Sequence, residues 1–129
     1  MKRKILILTM FLSYILFPST SLGEWKYVST SIAKDVFYVD YDRIRLNNGN
    51  VYFWILNDYL KPLSAGFKSS KTYMMGDCEM YRVKSLSSTF YTGQMGKGDL
   101  RTVNNEQKWI YPIPNSIDDA ILKSVCEKI

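Results

Sequence analysis

Residues 36–60, VFYVDYDRIRLNNGNVYFWILNDYL, decide the fold. β-Branched and aromatic residues crowd both sides of Asn47-Asn48-Gly49-Asn50, and such residues favour strands. Asn-Gly tolerates the positive φ angles of a type I′ turn. The stretch therefore predicts strands Val36–Ile44 and Val51–Leu60, paired antiparallel. On the second of these, Val51, Phe53 and Ile55 share one face, and Tyr52, Trp54 and Leu56 share the other. Apolar side chains on both faces predict that neither looks onto open water. One face should pack under a helix; the other needs a second sheet, a curled edge or another subunit.

Working outward, Trp25–Thr30 reads as an earlier strand, and Phe67–Tyr73, Cys78–Leu86 and Thr89–Gln94 as later ones. Within Cys78–Leu86, Tyr81 and Val83 alternate with Arg82 and Lys84, the pattern of a strand with one wet side. Pro112 and Pro114 end any preceding strand. Ser116 then reads as a helix N-cap, with Asp118 and Asp119 in the first turn. Ile117, Ile121 and Val125 are spaced by four, with Leu122 and Cys126 beside them, so one stripe is apolar and should dock on the sheet. The fold class is α+β: a mainly antiparallel sheet carrying a C-terminal helix.

At the other end, Lys2, Arg3 and Lys4 precede an apolar run, Ile5 to Phe17, and then Pro18 to Gly23. This is the pattern of a secretory signal peptide. An apolar run of about 13 residues reaches roughly 20 Å, short of the roughly 30 Å hydrocarbon core. Residues 1–23 are thus expected to be removed after Gly23, and 24–129 to form a single domain. Removal takes three of the 17 basic residues and none of the 12 acidic ones, leaving 14 − 12 = +2. That charge, without a concentrated basic face, gives no expectation of nucleic-acid binding.

Cys78 and Cys126 are the two cysteines of the chain. An even count behind an export signal predicts a disulfide between strand and helix, holding in place a helix too short to be stable alone.

The chain has no histidine, which removes the commonest general base and transition-metal ligand together. Oxidised cysteines leave no nucleophile or thiolate site. Asp40 and Asp42 would share a strand face, but no loop with calcium-ligand spacing accompanies them. Gly93 to Gly98 matches no phosphate-binding pattern and reads as a turn or bulge between strands. The expectation is therefore no catalysis, no cofactor and no metal. Tyrosines are frequent, and tyrosine serves both sheet packing and recognition surfaces. Lys68, Lys71, Arg82 and Lys84 are the candidate protein-binding residues.

Several short motifs, taken in order, carry a resemblance. They are Tyr38-Val39-Asp40-Tyr41-Asp42-Arg43-Ile44, Asp77-Cys78-Glu79 with Tyr81-Arg82, and Phe90-Tyr91 with Gly96-Lys97-Gly98. Trp109 to Ser116 and Val125-Cys126 follow. Together they resemble the surface-adhesin protein E family over nearly the whole chain after the leader. The resemblance implies a strand-to-helix disulfide, no catalysis, a dimeric arrangement, and binding of host matrix proteins such as vitronectin and laminin. In that family an outer-membrane member is a lipoprotein, which needs a cysteine directly after the signal. Here the residues are Leu22-Gly23-Glu24, so lipid attachment is not expected. Two functional expectations stand: a non-enzymatic exported binding protein of a Gram-negative bacterium, or a soluble periplasmic protein with a housekeeping, stress, inhibitor or assembly role.

Overall fold

A computed structural model describes residues 24–129; the expected leader, residues 1–23, lies outside the described residues. Strands β1 (Lys26–Thr30), β2 (Val36–Val39), β3 (Arg45–Asn47), β4 (Asn50–Asp58), β5 (Ser69–Asp77), β6 (Arg82–Tyr91) and β7 (Leu100–Val103) precede one helix, α1 (Ile117–Cys126). They form one antiparallel sheet in the order β1-β2-β4-β5-β6-β7, with β3 also paired to β4.

The Asn-Gly hairpin forms as its sequence requires. Asn47 pairs with Asn50 across Asn48 and Gly49, whose φ angles are 50° and 78°. The expected strand Val36–Ile44, however, is broken after Val39. Asp40, fully buried, turns its carboxylate onto the Asp42 backbone N–H and starts a 3-10 turn over Tyr41–Arg43. Both halves still pair with β4, so β2 and β3 are one strand interrupted by a local side-chain cap, a known competitor of sheet ladders. Asp40 and Asp42 consequently do not share a strand face. The Asp40 Oδ2 atom instead faces Arg43 Nε at 3.3 Å.

The segments read as Cys78–Leu86 and Thr89–Gln94 are in fact one strand, β6, and residues 78–81 are the turn leading into it. Tyr73 pairs with Ser87 and Met74 with Ser85, leaving Leu86 as an extra residue. This bulge reverses the alternation along β6 and so makes one strand read as two. β7 was not expected: Leu100-Arg101-Thr102-Val103 is exposed throughout and carries no apolar alternation.

Ser116 caps α1 by accepting from the Asp119 N–H at 3.2 Å. Ile121, Leu122 and Val125 are buried against Val39, Val51, Phe53, Met74 and Val83, and this is the core. The helix comes so close to β5 that a Cβ on Gly76 would lie 2.9 Å from both Leu122 Cδ1 and Val51 Cγ1. A disulfide joins Cys78, the first residue after β5, to Cys126, the last of α1.

Candidate binding face

The face of the sheet opposite the helix carries the second half of the β4 alternation. In register, Tyr52, Trp54 and Leu56 lie beside Met75, Tyr73 and Lys71 of β5, and Tyr38 of β2 lies beside Leu56. The Leu86 bulge keeps Lys84 and Arg82 on this same face, opposite Met75 and Asp77. No second sheet covers it among the described residues. The face is nevertheless not open throughout: Leu56 is fully buried, while Tyr52, Trp54 and Tyr73 are half-buried.

The rings pack in two groups, Tyr52 and Trp54 on Tyr73, and Tyr27 on Tyr38. The Trp54 and Tyr73 centroids are 4.8 Å apart and those of Tyr52 and Tyr73 6.0 Å, both tilted; Tyr27 meets Tyr38 edge-on at 6.4 Å. Such offset and edge-on packing suits ring quadrupoles. Cations frame the rings. Lys71 Nζ is 5.8 Å from the centre of Trp25 and 5.2 Å from that of Tyr91. Arg82 and Lys84 approach the Trp109 ring at 4.2 and 4.6 Å.

Three of the four candidate residues, Lys71, Arg82 and Lys84, are thus brought to one face. Lys68 sits just before β5, where its N–H donates to the Tyr91 carbonyl and its side chain is exposed. Composition did not show that two of these cations are already paired: Arg82 Nε meets Asp77 Oδ2 at 3.1 Å, and Lys84 Nζ meets Glu106 Oε1 at 2.5 Å. Asp77 is held below its usual carboxyl pKa first by the Met80 N–H, then by Arg82, against a partial burial cost. Lys68 and Lys71 form no ion pair among the described residues.

The glycine-rich loop serves this face as a brace. Ser69 Oγ donates to the Gly93 carbonyl at 2.6 Å and accepts from the Gly96 N–H at 2.9 Å. Gly96, at φ 72°, lies so close over Lys71 that a Cβ would stand 2.5 Å from Lys71 Cε. Backbone N–H groups are therefore spent on β4 and β5 rather than offered to an anion, the Met95 N–H reaching Asp58 Oδ1 at 2.9 Å. The role of Trp25 and Trp109 was not legible beforehand; a tryptophan near Lys or Arg in sequence gives no sign of which cation it will cover.

Among the described residues no group of three or more His, Cys, Asp or Glu side chains is placed to hold a metal ion. No described helix is long and apolar enough to cross a membrane, which leaves strands unaddressed.

A single antiparallel sheet clamped under one C-terminal helix, with no second sheet on its aromatic and cation-bearing face among the described residues, defines a small α+β domain. The chain belongs to the surface-adhesin protein E family, whose model matches residues 25–127. The family is one of surface adhesins, and this chain is accordingly a surface or exported protein of adhesin type. Its fold is similar to the structure of Haemophilus influenzae protein E, with a TM-score of 0.65 and 16% identity over 80% of this chain and 83% of that one. A second crystal form of the same protein gives 0.62 at 16% identity, covering 80% and 87%. A selenomethionine form gives 0.60 at 17% identity, covering 78% and 85%. At such identity the likeness speaks for the fold alone. Among curated proteins no sequence match is found.

Proposed function

We propose that this chain is a non-enzymatic, exported binding protein of a Gram-negative bacterium, acting as the single domain 24–129 once residues 1–23 are removed. It engages host extracellular-matrix proteins through the face opposite the helix. The observation that carries this reading is the Tyr52–Trp54–Tyr73 array framed by Lys71 and Arg82, with Lys68 and Lys84 at its margins. Tyr, Trp and Arg dominate the energetics of protein interfaces because they bring large area at low conformational cost. Rings already stacked on one another lose little further freedom when a partner arrives.

The family resemblance directs the choice of partner to vitronectin or laminin, and it also points to a homodimer. The test is retention of the purified protein on immobilised vitronectin and laminin. Retention at physiological salt is expected, weakened by Trp54→Ser, by Tyr73→Ser and by Lys71→Glu. Because Arg82 and Lys84 are paired internally, salt should act mainly through Lys68 and Lys71. Absence of retention would contradict host binding.

A second reading, a soluble periplasmic protein with a housekeeping or assembly role, draws on Leu22-Gly23-Glu24, where a lipid-bearing cysteine would stand. Protease added to intact cells separates the two. Degradation supports the adhesin, and protection until the outer membrane is opened supports the periplasmic protein.

A further inference from the structure

The helix covers only part of its own face of the sheet. Beside its first turn a groove of about 500 Å³ opens between α1, the central strands and the chain around Lys108. Met74 and Val83 give it an apolar floor, Thr72 and Ser88 a hydroxyl edge, Asp118 a carboxylate, and Lys108 a charged rim, while Lys84, also in its lining, has its ammonium held by Glu106. The hydroxyls of Thr72 and Ser88 are bonded to each other at 3.0 Å.

The two adjacent acids of the first turn are used differently. The Asp119 carboxylate receives Tyr81 Oη and, at 2.9 Å, the Asn115 N–H. Asp118 has no ion-pair partner among the described residues. Burial pushes its carboxyl above the usual value, with no hydrogen bond or cation offsetting it. A half-buried carboxylate on the wall of an apolar-floored groove is complementary to a cationic group on an apolar stem. The volume lies within the range of small-ligand clefts, enough for two or three residues of extended chain and too little for a folded surface.

We propose that this groove receives a peptide segment of a partner protein, setting a lysine or arginine head on Asp118 and an adjoining apolar side chain on Met74 and Val83. The site lies on the helix side of the sheet, and of its lining residues only Lys84 also borders the aromatic face. Loss of matrix binding through Trp54 and Tyr73 would leave it untouched. Lys108, exposed at the rim, opposes the incoming cation and so supplies an internal control.

The test is a titration of the ¹⁵N-labelled protein with N-acetyl-leucyl-arginine amide, followed by amide NMR shifts, with N-acetyl-leucyl-norleucine amide as the uncharged probe. Shifts should cluster at Thr72, Val83, Ser88 and Asp118, and the uncharged probe should bind several-fold more weakly. Asp118→Asn should reduce affinity for the arginine probe by about two- to fivefold, the effect of one partly exposed charge pair. Lys108→Gln should raise it. Amide dispersion elsewhere reports whether each variant is folded. Shifts scattered over the surface, equal binding of both probes, or indifference to both substitutions would each overturn the proposal.

Discussion

Tyr81 reaches from the β5–β6 turn to the first turn of α1, where its hydroxyl donates to the Asp119 carboxylate. Three residues earlier in the same turn, Cys78 is bonded to Cys126 at the far end of that helix. One short turn thus holds both ends of a ten-residue helix, a length that is not stable in water by itself. Tyr81 adopts φ 52° to do this, a left-handed conformation that a bulky residue takes only when its surroundings compensate.

The covalent end of this clamp should dominate stability. The cysteines are 48 positions apart, and closing a loop of that length is worth about 4 kcal/mol in the chain-entropy account. Replacing both cysteines by serine, or adding reductant, should lower the urea midpoint by a corresponding amount. The measurement is equilibrium unfolding with and without reductant.

The polar end should act more weakly and with a definite pH signature. Tyr81→Phe should lower the thermal midpoint by roughly 3–6 °C near neutrality. Burial, then the Asp119 hydrogen bond, raises the Tyr81 phenol from 10.0 to about 12. A pKa raised on folding gives stability that is full below the unfolded value and lost as pH climbs from about 10 through about 12. Asp119 is shifted the other way, first by Tyr81 and then by the Asn115 N–H, below its ordinary 3.8. Its contribution is present above that value and lost as pH falls through the lower folded pKa. The difference between wild type and Tyr81→Phe, followed by thermal melts across pH, should therefore shrink at both extremes.

Gly76 marks where the helix presses on the sheet. A Cβ there would meet Leu122 Cδ1 and Val51 Cγ1 at 2.9 Å, so Gly76→Ala should cost about 1–3 kcal/mol, the usual penalty of overpacking. Gly76→Ala combined with Leu122→Ala should cost less than the sum of the two single changes, because the methyl enters the space the leucine leaves. A double-mutant cycle in urea checks it.

Gly49 separates conformation from packing. It has φ 78° with nothing within 4 Å of a Cβ position, so Gly49→Ala should cost only about 1 kcal/mol, the price of a left-handed alanine. The same unfolding assay reads it, and a larger loss would mean that the turn is packed.

Which features were legible beforehand follows the range of the interactions that make them. The hairpin at Asn48-Gly49, the Ser116 cap and the Ile121–Val125 stripe depend on residues within a few positions of each other, and local chemistry settles them. The Cys78–Cys126 pair was readable because two cysteines allow one pairing. The break at Asp40 was hidden because VFYVDYDRI has the β-branched and aromatic content of a strand, while its aspartate has the option of capping Asp42 instead. The Leu86 bulge was hidden because it is a property of pairing with β5, and it split β6 in the reading. On the candidate face, Lys71, Arg82 and Lys84 were picked out by charge and alternation. Their partners Trp25, Trp109, Asp77 and Glu106 come together only through tertiary structure, and Asp118 differs from Asp119 only by what each faces.

The central claim is that the face opposite the helix is the recognition surface. The most direct measurement compares retention on immobilised vitronectin and laminin of wild type, Trp54→Ser/Tyr73→Ser, and the hairpin-tip control Asn48→Ser, all confirmed folded by thermal melts with the disulfide intact. The account predicts at least about tenfold weaker retention for the aromatic variant, as for loss of interface anchors, and unchanged retention for the control. Equal retention of all three would contradict it.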